Sequence, residues 1–296
     1  MTDVYVYVHG WQTAPPVAAR RASALLARTG ELHTTHPQRY PELTRGYRPW
    51  LVVVRWPSSS LPSLSGYRRI RDRAHAMSAP GLGHAPHVLA HLLGYLDSRR
   101  GDPADPPVLA NRSGQYLHLV GHSFGGRFLC EAVQWASAPD APRVLGWTAP
   151  EVPDRPFTAD SMLVFQMAAP RDAFHQLFPA LFRTDGKPGA PLRGPLVLTH
   201  SRWDRATGFW HLRAEGSAGI GHSGAGPAPV AQFHTRLLAP HEPYRLSALD
   251  HRLVNVDAGH CFRGSARTRL APAGAHSDID HPESAHLLLS LAALSR

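Results

Sequence analysis

The chain has 296 residues, 43% of them hydrophobic and 18% charged, with a formal net charge of +9. That length and balance fit one α/β domain with a sizeable core and exclude a disordered or fibrous chain. No apolar run approaches the roughly 18 residues of a membrane helix, and the two cysteines, Cys130 and Cys261, form no disulfide framework and no metal-ligand spacing.

Of the 31 basic residues a single one, Lys187, is lysine. The arginines are scattered. Their densest group, Arg68, Arg69, Arg71 and Arg73, falls on an expected helix and reads as a solvated face, so no nucleic-acid partner is expected. Basic charge would still favour peripheral contact with an anionic membrane. The start of the chain runs directly into an alternating strand, so no signal peptide and a cytoplasmic location are expected, although a non-Sec export route leaves no such mark.

Taken in order, residues 3–8 alternate around Val4, Val6 and Val8 and end in His9-Gly10-Trp11. A helix is expected over 17–28, a fully buried strand over 50–56, an exposed basic helix over 63–77 and an amphipathic helix over 87–97. Gly101 to Pro107 reads as a loop. Tyr116-Leu-His-Leu-Val120 then leads straight into Gly121-His-Ser-Phe-Gly125 and a helical pattern over 127–135. After a proline-rich connection at 138–160 come a strand at 161–168, a short helix at 174–182 and a strand at 195–200. Residues 206–250 lack periodicity and read as a loop or lid-like excursion. A strand at 253–257 and a helix at 281–294 close the chain.

Strands alternating with helices predict a mostly parallel, doubly wound α/β sheet of about six strands in a single domain, 1–296. Active sites on such sheets lie at the carboxyl ends of strands. The serine between small residues at a strand-to-helix turn, Gly121-His-Ser-Phe-Gly125, would be lifted above that edge, with the next amide N–H facing the same space. Gly221-His-Ser-Gly-Ala225 looks alike, but no apolar strand precedes it, and Ser223 reads as part of a flexible loop.

The strand–Gly121-His-Ser-Phe-Gly125–helix stretch and the His9-Gly10 strand end resemble the α/β-hydrolase superfamily, in particular its lipases and esterases. The resemblance implies that fold, shortened by the strands that in many members precede the His-Gly strand. It implies Ser123 as nucleophile, the N–H groups of Trp11 (with Gln12 as the alternative) and Phe124 as the oxyanion hole, and the chain order Ser, acid, His. The acid is then Asp204, just past the strand at 195–200, with Asp172 the alternative one strand earlier. The base is His276, in the loop feeding the final helix, with His260 and His281 as alternatives. The implied substrate is a small or lipid ester, and no cofactor or metal is implied. A catalytically silent binding module, or an acyltransferase using the same triad, is the competing expectation.

Overall fold

A computed structural model describes residues 2–44, 46–78, 83–98, 116–136, 159–182, 192 and 194–296. The expected loop at 101–107 and nearly all of the connection at 138–160 lie outside the described residues.

Seven strands form one sheet, all parallel, in the order β2-β1-β3-β4-β5-β7-β6. They are β1 (Asp3–Val8), β2 (Pro49–Val54), β3 (Tyr116–His122), β4 (Ser161–Phe165), β5 (Leu196–His200), β6 (Gln232–Arg236) and β7 (Leu253–Asp257). Alternate side chains of each strand feed opposite faces. Val4, Val6, Leu117, Leu119, Met162 and Val164 enter one core, with α2 (Leu64–Ser78), α3 (Ala85–Ser98) and α4 (Phe124–Ala136) supplying its other wall. Tyr5, Tyr7, Val120, Leu163, Phe165 and Val197 enter the second, under α1 (Pro15–Thr35) and the last helix, Pro282–Leu294. Each fully buried Val, Leu or Phe in these layers stabilises the fold by about 1.5–3 kcal/mol. Helices on both faces of a wholly parallel sheet make this a doubly wound α/β fold of a kind that fits an α/β-hydrolase architecture, and no strand lies beyond β2 among the described residues.

Four expectations need correction. The stretch at 50–56 is not a fully buried strand: β2 is an edge strand, and Trp50 is 63% exposed. An apolar run alone cannot tell a central strand from an edge one. Helix α2 is not simply exposed, since Tyr67, Ile70 and Ala74 are buried along one side while Arg68 and Arg69 face solvent. Helix α1 continues past Gly30 to Thr35, where the Thr34 and Thr35 hydroxyls donate back to the carbonyls of Gly30 and Glu31 (both 2.8 Å). Finally, residues 206–250 are not a plain loop. They hold a π-helical turn (Ala206–Trp210), three short helices and β6, a polar, partly exposed edge strand beside β7. Among the described residues no helix is long and apolar enough to cross a membrane.

Candidate active site

All strands run the same way, so the ends of β1, β3, β4, β5 and β7 share one edge. Three non-glycine residues among those described have positive φ, and all three lie on that edge: Gln12 (54°), Ser123 (57°) and Gln166 (45°). Such a conformation costs on the order of 1–3 kcal/mol per residue and persists only where the surroundings enforce it.

At Ser123 the enforcement is visible. Its N–H donates to the Phe165 carbonyl at the end of β4 (2.9 Å), and its carbonyl accepts from the Gly126 N–H (3.1 Å). The flanking glycines are sterically required. A Cβ on Gly121 would sit 2.6 Å from Gly126 Cα, one on Gly125 would be 2.2 Å from the Val8 carbonyl oxygen, and one on Gly126 would be 2.0 Å from Val164 Cγ1. Helix α4 therefore lies tight against β1 and β4, and its first residue, Phe124, carries one of the N–H groups that a helix start leaves without an intrahelical partner.

The turn after β5 supplies the carboxylate. Asp204 N–H donates to the Ser201 carbonyl (2.9 Å), and Asp204 Oδ1 accepts from the Thr207 N–H (3.0 Å). The loop after β7 is tied to this turn: Ala275 N–H donates to the Trp203 carbonyl (3.0 Å), and Asp204 and Gly274 pair as an antiparallel bridge. Gly274, at φ 60°, has no room for a side chain, because a Cβ would lie 2.4 Å from the Trp203 carbonyl oxygen. This tie brings the next ring into place. His276 Nδ1 lies 2.8 Å from Asp204 Oδ2, and His276 Nε2 lies 2.7 Å from Ser123 Oγ. Asp204 is fully buried and Ser123 nearly so. A buried carboxylate on Nδ1–H leaves Nε2 as the acceptor for the serine proton.

Further groups hold the ring. His122 Nε2–H donates to the His276 carbonyl (2.9 Å). Burial, with the adjacent His276 ring as the second cause, pushes His122 down to about 3, so it is neutral there. The Gln166 amide, turned so that its nitrogen faces carbonyls, donates to Ala275 O (3.2 Å) and His276 O (2.5 Å). Sequence reasoning missed Gln166; a lone polar residue closing the apolar run of β4 was its only signal.

On the other side of the serine, Gly10 sits so close that a Cβ would be 2.8 Å from Ser123 Cβ. His9 orders this strand end: its Nε2 accepts from the Trp56 N–H (3.3 Å), and its carbonyl accepts from Trp56 Nε1 (2.8 Å). Burial lowers its pKa, in keeping with the acceptor role. Gln12 N–H is taken by the Ser58 carbonyl (2.9 Å), whereas no partner is found for the Trp11 N–H among the described residues. The Trp11 ring is fixed by its Nε1–H to Ser60 Oγ (2.8 Å) and by edge contact with Tyr67.

The structure thus brings Trp11, Ser123, Phe124, Asp204 and His276 together, and leaves the three alternatives elsewhere. Asp172 is exposed at the start of the short helix Ala173–Gln176. His260 is exposed and lines a cavity of about 450 Å³ with His200, Arg202, His222 and Asp257. His281 bonds Asp278 (3.0 Å) and stacks on Phe262. It also joins Cys261 and Glu283 in a cluster of potential metal ligands within 4.8 Å of one another, which the sequence spacing does not reveal. There the thiol, pushed up to about 12 by burial and then by Glu283, donates to that carboxylate (3.6 Å). Ser223 is not in a flexible loop: it ends the short helix Ile220–Ser223, whose Gly221 N–H donates to the Met167 carbonyl (2.9 Å).

No family model matches the chain, and no curated protein matches it. Among solved structures, a thermophilic esterase from the Planctomycetes species Thermogutta terrifontis, determined with butyrate bound, aligns over 91% of this chain and 77% of its own, at 15% identity and a TM-score of 0.28. A likeness that weak bears on neither the site nor its chemistry.

Proposed function

We propose that this chain is a serine hydrolase that cleaves a carboxylic ester through an acyl-enzyme. The observation that carries the reading is the continuous run Ser123 Oγ, His276 and Asp204, with contacts of 2.7 and 2.8 Å, on a serine held at φ 57° where β3 turns into α4. Ser123 Oγ attacks the acyl carbon while His276 Nε2 takes its proton, and Asp204 steadies the resulting imidazolium. The carbonyl oxygen becomes an oxyanion held by the Trp11 and Phe124 N–H groups. The C–O bond to the alcohol breaks, and the leaving oxygen takes the proton from His276. Water then repeats the sequence on the acyl-enzyme and releases the acid.

Hydrolysis of short and long acyl nitrophenyl esters by the native protein and His276→Ala tests this. Native turnover should fall by roughly 10⁴-fold or more in the variant. Equal turnover by the two proteins would overturn the reading.

A further inference from the structure

Where the turn after β7 meets the start of the last helix, four side chains with metal-binding chemistry converge. Cys261 Sγ, a ring nitrogen of His281 and a carboxylate oxygen of Glu283 all lie within 4.8 Å of one another. Asp278 stands beside them, with Oδ1 3.0 Å from His281 Nε2 and Oδ2 accepting from the Gly264 N–H (2.7 Å). The group is open to solvent: Cys261 and Glu283 are half-buried, and the His281 and Asp278 side chains are 29% and 30% exposed.

The hydrogen bonds within the group do not account for it. A carboxylate in the first turn of a helix is favoured by the helix dipole, but Glu283 faces a thiol, which is a weak donor. Asp280, two residues before that helix, pairs with Arg28. Neither Asp278 nor Glu283 has an arginine or lysine partner among the described residues. Two carboxylates, a thiol and an imidazole thus share one half-open site without a cation of their own.

A divalent metal ion supplies what the group lacks. Thiolate, imidazole and carboxylate are the donor types of Zn²⁺, whereas Mg²⁺ and Ca²⁺ take oxygen alone. A tetrahedral Zn²⁺ holds a sulfur and an oxygen ligand roughly 3.6 Å apart, which is the separation of Cys261 Sγ and Glu283 Oε2 (3.6 Å). His281 is oriented as metal-bound histidines are. Its Nε2–H donates to Asp278, itself anchored by the Gly264 N–H, which leaves the Nδ1 lone pair for the metal. Stacking on the buried Phe262 (5.5 Å) fixes the ring further. We propose that Cys261, His281 and Glu283 bind Zn²⁺, with Asp278 positioning His281 and a water in the fourth place. On binding, the thiol gives its proton to solvent and the sulfur bonds the metal. The ion clamps the turn after β7 to the last helix, at the two ends of the loop that carries His276. Binding does not depend on the hydrolase reading of Ser123.

The test titrates untagged, chelator-treated protein with Co²⁺, a spectroscopic substitute for Zn²⁺. Uptake alone does not decide it, because the chain has 20 histidines. The native protein should bind Co²⁺ with a thiolate-to-cobalt charge-transfer band in the near ultraviolet, and added Zn²⁺ should bleach that band. Cys261→Ser should lose the band, since the other cysteine, Cys130, is fully buried. Asp278→Asn should weaken Co²⁺ binding by roughly 10- to 100-fold, and His281→Ala or Glu283→Gln by at least as much. Circular dichroism checks that each variant is folded, and the native spectrum decides even where one is not. Native protein without the band, a band kept in Cys261→Ser, or unchanged affinity in both His281→Ala and Glu283→Gln would overturn the site.

Discussion

Two turns on the same edge of the sheet share the tripeptide Gly-His-Ser, at 121–123 and at 221–223. In the first, the serine itself takes the positive φ (57°), follows a fully buried strand and opens a 13-residue helix. In the second, Ser223 closes a four-residue helix, and the positive φ passes to Gly224 (75°). Strain sits on the side chain that could react in one turn and on a residue without a side chain in the other. The second turn is nonetheless part of the site's support. His222 Nδ1–H donates to the Asp204 carbonyl (3.1 Å), just as His122 Nε2–H donates to the His276 carbonyl (2.9 Å). A Cβ on Gly221 would lie 2.8 Å from Asp204 Oδ2. One copy would present the nucleophile and the other buttresses the acid.

The largest expected effect separates the two serines. Ser123→Ala should lower ester turnover by roughly 10⁴-fold or more, whereas Ser223→Ala should leave it unchanged within about twofold and shift stability by no more than ~0.5 kcal/mol. Steady-state rates and urea midpoints of both variants decide this. Comparable losses in the two would erase the distinction.

Next comes the buttress. Gly221→Ala puts a methyl group against Asp204 Oδ2 and, at 2.6 Å, against the Gln166 carbonyl carbon. Displacing the acid from His276 should lower kcat by roughly 10- to 100-fold, since misplacement of about 1 Å has effects of that size. A folded variant with native kcat would show that Gly221 does not set the acid's position.

The smallest effect concerns pH. His122 has a native pKa of about 3, while the unfolded chain protonates near the ordinary value of 6.5. Between those values the unfolded state binds the extra proton, so stability is complete above about pH 6.5 and declines as pH falls toward 3, by at most ~1.4 kcal/mol per unit from this residue. His122→Gln keeps an N–H for the His276 carbonyl and should flatten the slope of unfolding free energy between pH 6.5 and 5. An unchanged slope would mean that other buried histidines dominate it.

The sequence made the first turn readable because everything it needs is local: an apolar strand, small residues around the serine and a helical pattern. The strands at 3–8 and 253–257 were legible for the same reason, and β7 spans the expected residues. Strand β6 was not, because Gln232-Phe-His-Thr-Arg236 has no apolar face to show; it is held by pairing with β7 at the sheet edge. The role of the second turn was hidden for a different reason. Its glycine matters only because β4 and β5 bring Gln166 and Asp204 against it, contacts that no local pattern encodes.

The most direct measurement is labelling of the native protein by a fluorophosphonate, with mass-spectrometric mapping of the modified residue. The account predicts phosphonylation at Ser123, none at Ser223, and loss of labelling in Ser123→Ala. Folded native protein that stays unlabelled, or that is labelled at Ser223 instead, would contradict it.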